Sequence, residues 1–358
     1  MRAAVIGVGS MGTNHARVYS ELDEVELVAV ADSFGDRAEY VAGRMGMGVR
    51  AYDCFERMLD EQRPDLVSVV VPTREHLSVA KAAIERGVHV LVEKPIAANL
   101  TEAVEMARLA ERHGVILTVG HIERFNPAII ELKRRLDAGE LGRIFEIHAR
   151  RLGPFPPRIQ DVGVIVDLAT HDLDVIHKLV DSQATRVYAE TDRRIHSAHE
   201  DVVMGLIKFT NGVLGIIDIN WLTPTKIREL IVTGERGMFV AGYLTQELRY
   251  YQNMHYKDLS SSGTLPGVSE GDMITYHIDR CEPLKAELRS FINSVRTGEP
   301  PRVTAVDGMA ALALAETLIE SSRLQEPIRL NGNGHFPLAG NGADILPVWP
   351  YVSNAVTT

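Results

Sequence analysis

The sequence predicts an α/β chain, with a doubly wound parallel sheet over residues 1–120 and an α+β domain with an open, largely antiparallel sheet over 121–330. Three observations predict it. Short apolar runs alternate with amphipathic helical stretches through the first third. A glycine-rich turn joins the first run to the first helix, and after Gly120 strand-like runs follow one another directly. A chain of 358 residues is also long enough for two cores, since single cores stop growing before that size.

The first strand is Ala3-Ala4-Val5-Ile6, and Gly7-Val8-Gly9-Ser10-Met11-Gly12 follows at once. In such a turn the first glycine permits the tight bend, the second lets the backbone approach a pyrophosphate, and the third allows close helix packing. Ser10 and Met11 open a helix whose free N–H groups and positive end favour phosphates. Leu27-Val28-Ala29-Val30-Ala31 is the second strand, closed by Asp32 about 20 residues past the turn. A carboxylate there binds ribose hydroxyls and repels a 2′-phosphate, so NAD is the expected cofactor, ahead of NADP. Arg37 would soften that preference, and a helix-capping role is the plainer alternative for Asp32. Residues 65–71 form a further apolar strand, and Pro72-Thr73-Arg74-Glu75-His76 turns into a helix ending near Gly87. Val88-His89-Val90-Leu91-Val92 is the next strand, leading to Glu93-Lys94-Pro95. Asn99 and Glu102 are spaced as a capping box for a helix that runs to His113 and stops at Gly114, and 115–119 is the last strand.

Beyond Gly120 the pattern changes. Asn126-Pro127 opens a helix to about Asp137, and 143–150 alternates as a strand with Phe145, Ile147 and Ala149 on one face. Asn211-Gly212 marks a hairpin. Strands are expected at 228–233, 237–240 and 247–251, a polar loop over 252–275, and helices at 284–296 and 306–323. The tail 331–358 is rich in Asn, Gly and Pro with Asp344 as its one charged side chain. It reads as disordered, with docking through Phe336, Trp349 and Tyr351 as the alternative.

The bulk properties exclude several classes. A net charge of −10 argues against nucleic acid or an anionic membrane as a general partner. No run approaches the length of a membrane span. Met1-Arg2 leads straight into a strand, leaving no room for a signal peptide. Cys54 and Cys281 show neither disulfide nor metal spacing, which fits a reducing cytoplasm.

In sheets of this type ligands bind beyond the carboxyl ends of the strands, so Lys94 places a cationic donor beside the cofactor; an ordinary surface lysine is the alternative. Residues 164–180 read as a helix carrying Asp167, His171, Asp174 and His177. Asp167 and His171, at i and i+4, share a face, where a carboxylate orients an imidazole for general-base work. The same pair also reads as a surface ion pair or a polar core site. A metal site built from Asp167, His171 and His177 lacks a further ligand at convincing spacing. Arg150, Arg151 and Arg158 flank a proline-stiffened loop suited to bidentate binding of a diphosphate, or are solvated surface charges. Trp221 stacks on a base or fills the core.

The glycine turn, Glu93-Lys94-Pro95 and Asp167-Leu168-Ala169-Thr170-His171 together resemble the Gfo/Idh/MocA oxidoreductases over about residues 1–330. The resemblance implies a Rossmann domain followed by an open-sheet domain that commonly forms subunit contacts, hence a homodimer or homotetramer. It implies a cis Lys94-Pro95 bond, with Lys94, Asp167 and His171 around the nicotinamide and the carbon being oxidised. Pro72, Thr73 and His76 fall in the family's cofactor-contacting loop, and Glu93 and His121 are placed at the cofactor with them. Within the family, 120–127, 153–158 and 220–224 resemble UDP-N-acetylglucosamine 3-dehydrogenases, which implies a nucleotide-sugar substrate with Arg124, Asn126, Arg151, Arg158 and His171 at the substrate. An inositol dehydrogenase-like activity is the alternative. A non-catalytic sensor of NAD or sugar has no need of Lys94, Asp167 and His171 together.

Overall fold

The structure, a computed structural model, describes residues 1–156, 162–254 and 270–330. It divides into two compact units, the first made of Met1–Phe125 and Glu282–Leu312 and the second of the remainder. In the first unit six parallel strands, β1 (Arg2–Ile6), β2 (Glu26–Ala31), β3 (Arg50–Tyr52), β4 (Leu66–Val69), β5 (His89–Glu93) and β6 (Leu117–Gly120), lie in the order β3-β2-β1-β4-β5-β6. Helices α1 (Ser10–Ser20), α2 (Gly35–Met45), α3 (Phe55–Gln62), α4 (His76–Ile84) and α5 (Leu100–His113) connect them. The strand order reverses between β1 and β4, the switch point at which such sheets open a ligand crevice. Near-continuous apolar sequence follows from burial on both faces: Ala3, Ala4 and Val5 are each 0% exposed. The expected cap of α5 is present. Asn99 Oδ1 accepts from the Glu102 N–H at 3.0 Å, and the Glu102 carboxylate accepts from the Ala98 N–H at 3.4 Å, one residue earlier than in the usual reciprocal pair.

The second unit is built on nine strands: β7 (Ile144–Pro154), β8 (Ala184–Asp192), β9 (Val202–Phe209), β10 (Leu214–Asn220), β11 (Leu222–Gly234), β12 (Gly237–Gly242), β13 (Glu247–Asn253), β14 (Glu270–Tyr276) and β15 (Ile328–Arg329). Their order is β14-β13-β12-β11-β7-β10-β9-β8-β15, antiparallel except for the β7–β10 pair. The hairpin between β9 and β10 turns at Gly212, whose φ of 88 is the conformation glycine adopts without steric cost. Helices α6 (Pro127–Asp137) and α7 (Thr170–Val180) precede the hairpin in the chain.

Several expectations are corrected here. Residues 270–276 form β14 instead of a loop, because their unpaired backbone completes the ladder of β13; the stretch between lies outside the described residues, as does the tail 331–358. Phe145 is 43% exposed although Ile147 and Ala149 on its face are buried. The boundary also differs. Helix α8 (Pro283–Thr297), assigned by position to the second domain, belongs to the first unit, where Leu284, Leu288, Phe291 and Ile292 join the core of Ala3, Val5, Ala16 and Tyr19. The last helix, α9 (Ala305–Leu324), carries the boundary between the units at Leu312. Among the described residues no helix is long and apolar enough to cross a membrane.

Candidate functional site

The dinucleotide half of the site is set by the turn after β1. Gly7 has φ +86, and a Cβ there would lie 2.5 Å from the Val70 carbonyl oxygen; one at Gly12 would lie 1.9 Å from the Gly7 oxygen. Both positions are therefore closed to any side chain. A Cβ built at Gly9 would meet nothing within 4 Å, so that side of the backbone is open to the approach of a pyrophosphate. Gly9 caps α1 without a side-chain bond, and the first turn, with Ser10 and Met11, carries no acid, so its N–H groups and positive end suit an anion.

Asp32 follows β2 and is 8% exposed. Its Oδ2 accepts from the Val8 N–H at 2.9 Å and its Oδ1 from the Phe34 N–H at 3.0 Å. The carboxylate thus ties the glycine turn to the chain entering α2, but it is not the cap of that helix: the N-cap residue is Phe34, and no side chain caps it. Arg37 approaches it at 3.4 Å and lies over the exposed Phe34 ring, 4.7 Å from the centroid. Pro72 leads into a single 3₁₀ turn, Thr73–Glu75, ahead of α4. His76 is buried against two carbonyls, Pro95 O at 2.9 Å and Val71 O at 3.0 Å, so it joins the loops after β4 and β5. Burial holds the His76 ring below the ordinary histidine range. The Lys94-Pro95 bond is cis. His121 follows β6 and is 1% exposed.

Sequence reasoning missed a buried network behind Lys94. His15 on α1 places Nε2 3.1 Å from Glu93 Oε1 and Nδ1 3.0 Å from Ser68 Oγ, which in turn meets the Tyr19 hydroxyl at 2.9 Å. The fingerprint drew attention to its glycines, and a histidine one turn further on gave no sign of its partner.

In the second unit, 164–180 is helical as expected but not uniform. Ile165–Ala169 forms a π-turn, with the Thr170 N–H reaching Ile165 O, and α7 follows. Such wide turns recur at functional sites. Asp167 lies within the wide turn and His171 in the first turn of α7, both half-buried. The entry to this segment is held by Glu200, whose carbonyl accepts from the Val164 N–H at 3.0 Å and whose Oε1 accepts from the Ile165 N–H at 3.2 Å. Among the described residues no cluster of His, Cys, Asp or Glu is arranged to hold a metal ion.

The residues expected at the substrate have the following surroundings. Arg151 lies on β7, on the strand side of the loop it was expected to flank; it is 1% exposed, with Nε 2.5 Å from Asp172 and its guanidinium 5.0 Å from the Tyr243 ring centroid. An isolated buried guanidinium is costly, so the carboxylate that compensates it fixes it in place. Arg124 is likewise buried and pairs with Asp307 at 3.0 Å. Asn126 caps α6: Oδ1 accepts from the Ala128 N–H at 3.1 Å while Nδ2 donates to Tyr243 O at 3.0 Å. Arg158 lies outside the described residues. Arg150 faces Asp218 and Glu229 on the flanking strands, at 3.5 and 3.7 Å. Trp221 is 2% exposed, edge-on to Phe155, and fills the core.

A doubly wound sheet with a closed glycine turn, an open Cβ position at Gly9, an uncapped anion-favouring helix start and a carboxylate after β2 defines a dinucleotide-binding protein, and the residues fit NAD. Comparison with known proteins takes this further. Residues 1–121 match the oxidoreductase family with an NAD-binding Rossmann fold, and residues 129–240 match the GFO/IDH/MocA C-terminal domain. The chain belongs to the Gfo/Idh/MocA family and is an NAD-dependent dehydrogenase. It is 31% identical over 320 residues to UDP-N-acetylglucosamine 3-dehydrogenase of Acidithiobacillus ferrooxidans, covering 88% of this chain and 95% of that one. It is 29% identical over 343 residues to scyllo-inositol 2-dehydrogenase (NAD(+)) of Bacillus subtilis, covering 92% and 96%. The solved structure of the Acidithiobacillus enzyme superposes with a TM-score of 0.80 at 29% identity, over 90% of this chain and 98% of that one.

Proposed function

We propose that this dehydrogenase oxidises the C3 hydroxyl of a UDP-linked N-acetylhexosamine, UDP-N-acetylglucosamine first, to the 3-keto sugar. The observation that carries the reading is the likeness to the Acidithiobacillus enzyme, which spans nearly all of that protein in sequence and in fold. His171 takes the proton from the hydroxyl, Asp167 orients its imidazole, and Lys94 steadies the oxygen as negative charge develops there. NAD, when bound, supplies the hydride acceptor. A second reading, an inositol dehydrogenase, is favoured by the Bacillus relative, whose match covers more of this chain at nearly the same identity.

The test is NADH formation across UDP-N-acetylglucosamine, UDP-N-acetylgalactosamine, free N-acetylglucosamine, scyllo-inositol and myo-inositol. Turnover of the UDP sugars alone, with NMR placing the ketone at C3, supports the first reading. Turnover of the inositols without the UDP sugars replaces it with the second, and a ketone at C4 or C6 overturns the regiochemistry.

The reading includes self-association through the open sheet, as a homodimer or homotetramer in the cytoplasm. Across β8, β9, β10, β7 and β11 the register aligns Tyr188, Leu206, Ile216, His148 and Ile231, and Leu206 is 51% exposed. A contiguous row of this kind fits an isologous contact with a second copy.

A further inference from the structure

The buried network behind Lys94 has no part in the reaction as described above, yet it ends on the backbone of that residue. We propose that His15 is a positioning residue for Lys94, acting through the Glu93 carboxylate; the inference rests on the reading of Lys94 as the group that steadies the substrate oxygen.

The geometry supplies each link. His15 is 0% exposed and Glu93 8% exposed, so water does not compete for their contact. Glu93 Oε1 faces His15 Nε2 at 3.1 Å, and Oε2 accepts from the Lys94 N–H at 3.1 Å. The carboxylate thus bridges α1 and the peptide from which the Lys94 side chain leaves β5. Room for it is made by Gly120, its register partner on β6, where a Cβ would lie 3.0 Å from the carboxylate. Burial presses the Glu93 carboxyl upward, but the hydrogen bond and charge of His15 and the neighbouring Lys94 outweigh it and hold it below the usual carboxylate range.

An ionised Glu93 only accepts, so the proton it shares with His15 is carried by Nε2. The far side of the ring then meets Ser68 Oγ, a group that donates or accepts, backed by the Tyr19 hydroxyl. Each of these side chains thus has a hydrogen-bond partner within the network. A buried network of this kind rigidifies what it holds. Here that is the backbone at the end of β5, and small displacements of a charge-stabilising group are costly to turnover.

Two substitutions separate the contacts. His15→Gln keeps a donor near the Nε2 position and so the link to Glu93. His15→Asn keeps a polar group near Nδ1 and loses that link. With the fastest substrate of the panel above, His15→Asn is expected to lower kcat roughly tenfold, with KM for NAD within about twofold, while His15→Gln recovers most of the loss. In a Lys94→Ala background the same change should cost less than about twofold, because residues acting through one group are not additive. Full wild-type kcat in a folded His15→Asn protein, or a loss that adds in full to that of Lys94→Ala, overturns the proposal. Should His15→Asn not fold, Glu93→Gln decides the same question from the other end, again by non-additivity with Lys94→Ala. If Lys94→Ala itself turns over normally, the role of Lys94 falls and this inference with it. If Lys94→Ala is impaired and His15→Asn is not, only this inference falls.

Discussion

Asp307→Asn tests whether the Arg124 pair holds the first unit together. Asp307 sits in the first turn of α9 with Oδ1 3.0 Å from Arg124, while Oδ2 accepts from the Thr304 N–H at 2.8 Å and the Thr304 hydroxyl at 2.7 Å. The Asp307 N–H returns to Thr304 Oγ1 at 3.1 Å, so the two residues form a reciprocal capping box. Burial presses the carboxyl upward, but Arg124 and Thr304 together hold it at about 2. Against an unfolded value of about 3.9, that difference corresponds to roughly 2–3 kcal/mol at neutral pH. The side chain is 20% exposed, so solvent screening removes little of it.

The sign follows from a depressed folded value. The stabilisation is complete above the unfolded pKa and is lost as pH falls through roughly 4 toward the folded value of about 2. Asn keeps the shape and removes the charge. The midpoint of thermal unfolding, followed by circular dichroism on the full chain, should therefore fall by about 4–8 °C at pH 7. The gap between the two proteins should narrow steadily below about pH 4. Because Arg124 is buried within its own unit, KM for substrate should stay within about twofold. Equal stability at pH 7, or a gap that is the same at pH 7 and pH 3.5, would refute the reasoning.

Three further outcomes are expected. Asp32→Ala should shrink the ratio of kcat/KM for NAD over NADP by about tenfold, as loss of a charge-assisted hydrogen bond implies; a ratio left unchanged shows that Asp32 does not select the cofactor. His171→Ala and Lys94→Ala should each lower kcat by roughly 10²-fold or more, with NAD affinity nearly unchanged in His171→Ala; normal turnover of His171→Ala removes it as the base. Leu206→Glu places a charge in the middle of the exposed row on β9 and should shift sedimentation toward the monomer; a distribution identical to wild type rules out that face as the subunit contact.

Much of the fold was legible because it is written locally. The turn 7–12, the Asn99 cap, the Gly114 stop and the Asn211-Gly212 hairpin are backbone preferences of a few adjacent residues, and each stands where it was expected. Alternation of apolar runs with helical stretches likewise specified the parallel sheet, since strands buried on both faces need no polar alternation. β14 escaped notice for the converse reason: it is polar, and it is a strand because β13 offers it a partner. The π-turn escaped as well, since one shifted hydrogen bond leaves no trace in the periodicity.

By itself, then, the sequence determined the class of chain, the cofactor and the elements that carry Lys94, Asp167 and His171, because those depend on short-range sterics and hydrogen bonding. Tertiary structure decided the membership of α8 in the first unit and the partners of the buried polar and charged groups: Glu93 for His15, Asp307 for Arg124, Asp172 for Arg151. An apolar stripe such as Leu284, Leu288, Phe291 and Ile292 fits any apolar surface, and an arginine reads the same in a loop facing solvent as on a strand facing aspartate. Which of these a residue becomes is settled by desolvation. Once the chain closes, a charge taken out of water must find its counter-charge, however far away in sequence that lies.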